Sequence, residues 1–597
     1  MVPILSERDL AFLLYEFLDT EALLERERYA EQSREVFDAT LATARRIAEE
    51  RFAPHLARGD SSEPTFDGST VTLIPETKAA WDAFAAAGFL NAHWDLEQGG
   101  LQLPQVVHSA AVTWFNAANA ATTAYSWLTV GAANLLRTFG TAELKARFLA
   151  PMGDGRFAGT MALTEPAQGS ALGDIRTTAE PQADGSYRLF GQKMFISGGD
   201  QSLTTNIVHM VLARIRGAPA GVRGISLFVV PKVLVGADGS LGHRNDVALA
   251  GLLHKMGWRN TTSTVLSFGE QGGAVGYLLG EAGKGLAHMF QMMNEARINV
   301  GLCAAAIACR GYLLALDYAR SRAQGRLPSC KDPSTPQVKL VEHADVRRML
   351  LAQKAYAEGS LAMSLYGASL AEDQHTHPER AAREAAGLLL DILTPVIKSW
   401  PSRYGCLAND HAIQVLGGSG YTREYLAEQL YRDQRLNPIH EGAEAIHAID
   451  LLGRKAVMQG GAAYRAFRSA VDGTLVEAAA SEGTAALAAA FAAPLARLDA
   501  VTAQLAALMA SDPDRALANA GVYLDAFGRI VAAWVWLKQA LAAQRGLAGR
   551  PAEADFYRGK LQAARYFFTW ELPATTTQFE LLAEVNSVPL EMRDEWF

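Results

Sequence analysis

Apolar residues recur at helical spacing through the first part of the chain. A face near the N-terminus is formed by Leu10, Leu13, Leu14 and Phe17. Residues 29–51 are charged and helix-favouring, and residues 110–136 form a long apolar stretch that is rich in small side chains. Thr141 begins a new turn. These patterns predict a helical region over residues 1–158, with a buried helix inside it.

The pattern changes near Gly159 to short alternating runs that are separated by glycine-rich turns. Strand-like runs cover residues 187–196, 207–213, 224–230 and 264–268. The tripeptide Ala183-Asp184-Gly185 has the composition of a hairpin turn. The sequence therefore predicts a compact β domain over residues 159–280.

Helical spacing returns at about Lys284. The predicted helices cover residues 289–320, 341–371, 379–399 and 406–416. Beyond about residue 460 the chain is rich in alanine and continues as amphipathic helix to about Leu572. We therefore expect an α+β fold that is mainly α, with a helical bundle over residues 281–460 and an extra helical domain over residues 461–597.

Composition narrows the class of protein. A chain of 597 residues is too long for one compact core, and 49% apolar residues are ordinary for a globular protein. The net charge of −8 gives no surface suited to tracking phosphates, so nucleic acid is not an expected partner. The 4 cysteines form no CxxC pair and have no zinc-ligand spacing, so we expect free thiols and no metal site.

Targeting and membrane signals are weak. The N-terminal residues carry acids early and lack a basic region, which does not fit a signal peptide. No uninterrupted apolar run reaches membrane length, and the best candidate, residues 301–316, contains Arg310. We therefore expect a cytoplasmic protein without integral membrane association.

Two segments in the predicted β domain combine hydroxyls, glycines and an aromatic residue. Residues 162–170 (ALTEPAQGS) form a loop rich in backbone N–H and hydroxyl donors, which suits an anionic or carbonyl-rich ligand but also a plain turn. Residues 191–199 (GQKMFISGG) place Phe195 and Ser197 on one face of a strand, where they could contact a flat cofactor. A buried core position for Phe195 remains the alternative.

Two further segments lie in the predicted bundle. Residues 414–421 (QVLGGSGY) end a helical run with glycines that could admit a pyrophosphate or simply stop the helix. In Ile439-His440-Glu441-Gly442, a carboxylate precedes a helix that starts at about Ala443, after an extended Asn437-Pro438 segment. Such a carboxylate can act as a base, or it can complement the helix dipole.

Taken together, these segments resemble the acyl-CoA dehydrogenases over about residues 30–455. MALTEPAQGSALGDI is similar to the first signature of that family, QVLGGSGYTREYLAEQLYRD to the second, and NPIHEG to its catalytic-base segment. The resemblance implies a helical N-terminal domain, a β-barrel middle domain and a four-helix-bundle domain, with FAD as cofactor. The length, GLLHKMGWRNTTSTV and LLGEAGKGLAHMFQMMNEARINVGL resemble a longer bacterial subgroup of methylthiopropionyl-CoA and medium- to long-chain fatty acyl-CoA dehydrogenases, which has an extra C-terminal helical domain.

The resemblance also implies roles for individual residues. Contacts to FAD are implied for Leu163, Thr164, Phe195, Ser197, Arg322, Gln414, Gly417 and Gly418. Contacts to the substrate are implied for Ser170, Arg297 and Gly442. Glu441 resembles the catalytic base, and Ala296 stands where some relatives carry their base instead. Burial should raise the pKa of Glu441, which suits a base that works near neutral pH.

The implied reaction is α,β-dehydrogenation of an acyl-CoA thioester to the trans-2-enoyl-CoA. Glu441 removes the α-proton, its backbone N–H helps to stabilise the enolate, and the β-hydrogen leaves as hydride to the flavin. The resemblance further implies fatty acid β-oxidation, electron-transfer flavoprotein as the electron acceptor, and a homodimer. The length and branching of the acyl chain cannot be read from the sequence.

Some positions depart from the family pattern. Ala171, Gln429, Ala443 and Ala445 stand where aspartate, a basic residue, threonine and glutamine are usual. Ala443 and Ala445 remove side chains that normally contact FAD, so weaker flavin binding is expected. His440 stands where tyrosine is common, and we expect a packed neutral histidine there.

Three other functions remain open at this point. The first is an oxidase or nitroalkane-type flavoenzyme that is reoxidised by O₂. The second is a flavoprotein of the DNA-damage-response type, which would need a basic groove that the balanced charges of residues 460–597 do not suggest. The third is a non-catalytic binding protein, which Ala443 and Ala445 would permit and Glu441 disfavours.

Overall fold

The computed structural model describes residues 2–597, and they form two compact units. One unit consists of residues up to 37 with 104–113 and 297–597, and the other consists of residues 38–103 and 114–296. The predicted domains 1–158, 159–280, 281–460 and 461–597 remain a prediction.

The elements up to the last strand are α1 (Glu7–Ala11), α2 (Arg34–Ile47), α3 (Leu56–Ser61), β1 (Thr65–Phe66), β2 (Val71–Thr72), α4 (Pro75–Ala86), α5 (Gln105–Phe139), α6 (Ala142–Gly153), β3 (Phe157–Ala162), β4 (Thr178–Pro181), β5 (Tyr187–Ser197), β6 (Asn206–Ile215), β7 (Ile225–Pro231), β8 (Val233–Val235), β9 (Leu241–Arg244), β10 (Val247–Leu252), β11 (Ser263–Phe268) and β12 (Ala274–Leu279). The remaining elements are α7 (Gly285–Ser321), α8 (Ala344–Thr376), α9 (Arg380–Leu416), α10 (Ala427–Gln434), α11 (Glu444–Asp450), α12 (Met458–Ala480), α13 (Ala485–Leu508), α14 (Pro513–Leu517), α15 (Ala520–Gly549), α16 (Ala554–Tyr566), α17 (Thr575–Ala583) and α18 (Val588–Glu591).

The main sheet closes into a barrel, as predicted. Its strands follow the order β10-β11-β5-β12-β7-β6-β3, and β4 pairs with both β5 and β6. The pairings β5–β12–β7–β6–β4–β5 therefore form a closed ring, which leaves no free edge within it. Inward residues such as Leu189, Val211 and Phe228 are fully buried and form its core.

Local side-chain bonds explain two features of the helices before the barrel. Thr141 caps α6 because its hydroxyl accepts a bond from the backbone N–H of Leu144 at 3.3 Å. The long apolar helix predicted around residues 110–136 is α5, and Asn119 interrupts it with an extended backbone at φ −164°. The side-chain oxygen of Asn119 accepts from the N–H of Thr122 at 3.1 Å and restarts the helix.

The bundle after the barrel corrects one prediction. Residues 379–399 and 406–416 were expected to be separate helices, but α9 continues through Pro395 and Pro401 as one helix. Pro401 has no N–H for the carbonyl of Ile397, and Gly301 of α7 packs so closely on that carbonyl that a Cβ at position 301 would collide with it. Tight packing by a neighbouring helix thus accommodates a proline that usually ends a helix.

The extra C-terminal helices are joined to the bundle by buried hydrogen bonds. The hydroxyl of Tyr404 donates to Asp525 at 2.9 Å, and that of Tyr356 donates to Glu571 at 2.7 Å. The indole N–H of Trp536 donates to the carbonyl of Ala355 at 3.1 Å. Because buried polar groups need partners, these bonds make residues 458–597 an integral part of the unit.

The two ends of the chain also meet in this unit. The guanidinium of Arg8 donates to Glu553 at 2.8 Å and to the hydroxyl of Tyr557 at 2.9 Å. The buried ammonium of Lys560 pairs with Asp9 and, at 2.8 Å, with Glu358. We call these residues the terminal clasp.

The search for an apolar stretch of membrane length needs a correction, whereas the absence of integral membrane association stays a prediction. Within residues 2–597, α7, α13 and α15 are long and apolar enough to cross a membrane by length and composition alone. The test for an uninterrupted apolar run missed them because isolated charges interrupt the sequence. The apolar windows of α7 and α15 are 72% and 83% buried inside the protein, so packing accounts for their composition.

Candidate functional site

A tight turn between α10 and α11 presents the predicted base. The segment at Asn437-Pro438 was expected to be extended, but residues 435–441 form consecutive turns. The N–H groups of Ile439 and His440 both donate to the carbonyl of Leu436, at 2.9 and 3.2 Å. The fixed φ of proline is as compatible with a turn as with an extended chain, so the sequence did not distinguish the two.

Glu441 sits in the left-handed region of the backbone map. Its φ is +55°, and that of Gly442 is +100°. The ring Nε2 of His447 donates to the carbonyl of Glu441 at 3.1 Å. A Cβ at position 442 would lie 2.9 Å from His447 Nε2, so glycine is required there by both backbone and space. Non-glycine residues with this conformation concentrate at functional sites.

The environment of Glu441 adjusts its acidity. Burial raises the pKa of the Glu441 carboxyl to about 7, while the charges of Arg297 and Lys398 oppose part of that rise. The raised pKa predicted from the sequence is therefore confirmed. A carboxyl with this pKa exists in both protonation states near neutral pH, which is the property needed in a general base.

Arg297 and Lys398 are the two cations whose charges lower the pKa of the Glu441 carboxyl. Arg297, in α7, is 4% exposed and lies 3.6 Å from Asp450 of α11. Lys398, in α9, is fully buried and donates to the carbonyl of Gly442 at 2.6 Å. Arg297, Lys398, Glu441 and Gly442 are thus gathered at one place in the same unit.

His440 contributes no charge to this site. Burial, with the nearby ammonium of Lys398, lowers its pKa to about 3. Its Nε2 lies 3.1 Å from the side-chain oxygen of Asn437. The expectation of a packed neutral histidine is confirmed.

Glu295, the neighbour of Ala296, is held elsewhere. In the unit that contains residues 114–296, its carboxylate accepts a bond from the side-chain amide of Asn134 at 2.9 Å. Ala296 itself is 7% exposed and has no ionisable group. The helix position that serves as the base in some relatives therefore offers none here.

In the same unit, Leu163 and Thr164 directly follow β3, and hydrogen bonds from residues of β5 hold their backbone in place. The ammonium of Lys193 is fully buried and donates to the Leu163 carbonyl and to the Glu165 carboxylate, both at 2.9 Å. The N–H of Met194 donates to the carbonyl of Thr164 at 2.9 Å. Glu165 is buried, whereas Pro166, Ala167, Gly169 and Ser170 are exposed.

Phe195 occupies a bulge in β5. Thr264 pairs with Ile196 and Leu266 with Lys193, so three steps on β5 face two on β11. Phe195 has φ +60° and is 62% exposed, and Ser197 ends the strand. The sequence placed Phe195 and Ser197 on one face because side chains alternate along a regular strand. The bulge between Lys193 and Ile196 interrupts that alternation, so it does not determine the orientation of these two side chains. The bulge turns an aromatic ring out towards solvent.

The glycine segment after α9 is open. Gly417 caps the helix with φ +60°, its N–H donates to the Gln414 carbonyl, and Gln414 is exposed. Within the described residues, a Cβ at Gly417 or Gly418 would meet nothing within 4 Å. Arg322, which follows α7, is also exposed.

Sequence reasoning did not identify several residues that shape the turn at Glu441 and the loop after β3. Lys398 and His447 bond to the backbone of the turn that carries Glu441, and Asp450 lies beside Arg297. Lys193 and Glu165 anchor the loop. The signals were present, because a lysine within an apolar helix stretch and a lysine within an alternating strand are unusual at core positions. Their partners could not be read, since those lie far away in the sequence.

The chain matches models of acyl-CoA dehydrogenase domains along most of its length. The matches are to the acyl-CoA dehydrogenase N-terminal domain over residues 35–156, middle domain over 160–269 and C-terminal domain over 283–457, and to the acetyl-CoA dehydrogenase C-terminal-like domain over 467–593.

Individual proteins are similar over nearly the whole chain. The 3-methylmercaptopropionyl-CoA dehydrogenase of Ruegeria pomeroyi is 38% identical over 570 residues, which cover 94% of this chain and 94% of that protein. The broad-specificity linear acyl-CoA dehydrogenase FadE5 of Mycobacterium tuberculosis is 34% identical over 609 residues and 99% of each chain. The structure of an acyl-CoA dehydrogenase complexed with FAD from Bacillus anthracis has a TM-score of 0.75 at 20% identity, covering 95% of this chain and 90% of that one.

Proposed function

Because this chain belongs to the acyl-CoA dehydrogenase family, whose members carry out FAD-dependent dehydrogenation of acyl-CoA, we propose that Glu441 is the base that removes the α-proton of its substrate. One observation carries the proposal. Glu441 is a carboxyl with a pKa of about 7, held in a left-handed turn beside two buried cations. The product is then the trans-2-enoyl-CoA.

The residues of the barrel unit fit a flavin. Phe195 offers an exposed flat ring on a bulge, and the adjoining Leu163–Thr164 backbone is held rigidly by Lys193. Ser197 would supply a hydroxyl at the ring, and Ser170 would contact the CoA or flavin tail from its exposed loop. FAD supplies the acceptor for the β-hydride when it is bound. The role of the protein is to orient the ring and exclude water.

The glycine segment fits a phosphate-bearing ligand. The open backbone at Gly417 and Gly418 could approach a pyrophosphate closely, and Gln414 and Arg322 present exposed polar groups. We propose that these residues bind the FAD of a second subunit, so that the enzyme is a homodimer. Their exposure in a single chain supports this arrangement.

The turn around Glu441 provides the remaining chemistry. Removal of the α-proton places negative charge on the thioester oxygen, which requires a hydrogen-bond donor. We propose that the N–H of Glu441 is this donor, Gly442 gives the thioester room, and Arg297 orders the pocket wall. The proton ends on the Glu441 carboxyl.

We further propose that electron-transfer flavoprotein accepts the electrons, and that the enzyme acts in fatty acid β-oxidation in the cytoplasm without spanning a membrane. The similarity to dehydrogenases along the whole chain supports these roles. Reoxidation by this acceptor under anaerobic conditions, compared with reoxidation by air, would separate a dehydrogenase from an oxidase.

The decisive experiment is anaerobic bleaching of the flavin absorbance by acyl-CoA compounds. Butyryl-, octanoyl-, palmitoyl- and 3-methylmercaptopropionyl-CoA would be tested on the wild type and on Glu441→Gln. We expect bleaching by the wild type with at least one compound and a loss of roughly a hundredfold or more in the variant. Equal bleaching by Glu441→Gln would contradict the assignment of the base, and no bleaching of FAD-loaded wild type would contradict the reaction.

A further inference from the structure

The turn that carries Glu441 depends on a contact outside the turn. Glu441 has a left-handed backbone, which costs a non-glycine residue energy unless surrounding contacts hold it, and Gly442 continues the turn with a positive φ that glycine adopts freely. His447 holds the first carbonyl from within the next helix. The carbonyl of Gly442 is held by Lys398 of α9, which lies 44 positions earlier in the chain. This bond ties the turn to the long bundle helix.

The burial of Lys398 is costly and its charge is not neutralised by an ion pair. Its side chain is fully buried, and within residues 2–597 its ammonium forms no ion pair. Arg297 has Asp450 at 3.6 Å, and Glu444 has Arg403 at 3.0 Å. A buried ammonium without a carboxylate partner would be replaced by an apolar residue if packing were its sole task.

The positive charge of Lys398 interacts with the carboxyl of Glu441. Burial lowers the pKa of the Lys398 ammonium to about 8, and the Glu441 carboxyl is the largest opposing influence, ahead of Glu444. In return, Lys398 is one of the two cations that lower the pKa of Glu441. The other charged or titratable groups facing it are Arg297, from α7, and the neutral His440 and His447.

We propose that Lys398 is a positioning residue for the reaction: it fixes the Glu441–Gly442 turn through the Gly442 carbonyl and places a positive charge beside the base. The proposal rests on the assignment of Glu441 as the base. Lys398 thus makes two contributions: its hydrogen bond sets the geometry of the turn, and its charge lowers the pKa of the Glu441 carboxyl.

Two variants separate these contributions. Lys398→Met removes both the bond and the charge, whereas Lys398→Gln removes the charge and keeps an N–H donor. Lys538→Met is the matched control, because Lys538 of α15 is another largely buried lysine whose pKa burial lowers to about 8, and it packs on the rings of Tyr366 and Trp534 instead.

The first readout is the anaerobic rate of flavin reduction as a function of pH, measured with FAD-loaded proteins. We expect the pH midpoint to rise by about one unit or more in Lys398→Gln, because loss of a nearby opposite charge raises a carboxyl pKa by that order. Lys398→Met should show the same rise and a lower plateau rate, and Lys538→Met should match the wild type. An unchanged midpoint in Lys398→Gln would overturn the proposal, whether or not Lys398→Met folds.

A second readout does not depend on the reaction. The difference in thermal stability between a protein and its Glu441→Gln counterpart changes with pH around the pKa of Glu441. We expect this difference to level off at a higher pH in the Lys398→Gln background than in the wild-type background. If the flavin is not bleached but this shift is present, the proposed reaction fails and the coupling of Lys398 to Glu441 stands. If bleaching occurs and the shift is absent, the role of Lys398 is refuted and the reaction stands.

Discussion

Replacing Glu441 by glutamine should stabilise the folded protein at alkaline pH even though it removes the proposed base. The carboxyl of Glu441 has a pKa of about 7 in the fold and an ordinary value of 4.5. Folding therefore disfavours the ionised form. Glutamine has nearly the same shape and no charge, so it avoids the cost of burying a carboxylate.

The size and sign of the effect follow from this difference. The difference between a pKa of about 7 in the fold and 4.5 in the unfolded chain corresponds to roughly 3 kcal/mol, which is an upper limit because part of the Glu441 side chain remains in contact with solvent. Below about pH 4.5 the Glu441 carboxyl of the wild type is protonated in both the folded and the unfolded state, so its burial costs no stability. As pH rises from about 4.5 to about 7 the wild type progressively loses this stability, and above about 7 the loss is constant.

Thermal unfolding of the FAD-loaded proteins would measure the effect. At about pH 8 the Glu441→Gln variant should unfold up to about 2–3 °C above the wild type, because about 3 kcal/mol is divided by the large unfolding entropy of a 597-residue chain, and at about pH 5 the difference should be several-fold smaller. Glu444→Gln is the control, since the Glu444 carboxylate pairs with Arg403 at 3.0 Å and its removal should bring no such gain. Equal Tm values at about pH 8, or a difference that does not depend on pH, would refute the reasoning.

Three further predictions concern the same reaction and its supports. The anaerobic rate of flavin reduction should rise with pH and level off above about 7, because Glu441 accepts a proton only when ionised, and a rate that is flat from about pH 6 to 8 would contradict this. Lys193→Met should lower the FAD content after gel filtration, since it leaves the buried Glu165 without its cation at a cost of about 3–5 kcal/mol, and full flavin occupancy would argue against it. Gly442→Ala should slow flavin reduction by up to roughly a hundredfold, because a Cβ would press on His447 and displace the turn; a wild-type rate in a folded variant would count against it.

The parts of the fold that were predictable are those fixed by local patterns. The strands β5, β6, β7 and β11 were recognised because alternation and glycine-rich turns are determined by neighbouring residues. The continuity of α9 through Pro401 could not be predicted, because it depends on close packing by Gly301, which lies a hundred positions earlier in the sequence. A proline in isolation predicts a break.

The candidate site shows the same division. Glu441 could be found from its short segment and from the resemblance to a family, and its raised pKa followed from expected burial. Lys398 could not be assigned, because its partner Gly442 is brought to it by the fold. The bulge at Phe195 was also hidden, since a bulge is defined by the register of the neighbouring strand β11.

The terminal clasp has a consequence for synthesis of the protein. Arg8 leaves the ribosome first, and its partner Glu553 follows 545 residues later. At about ten residues per second, the N-terminal segment waits for roughly a minute before its partner exists. During that time the ring of Phe12 lacks its native contacts with the rings of Phe556 and Tyr557. The contact between these two segments therefore forms only late in synthesis, after nearly all of the unit to which they belong has been made.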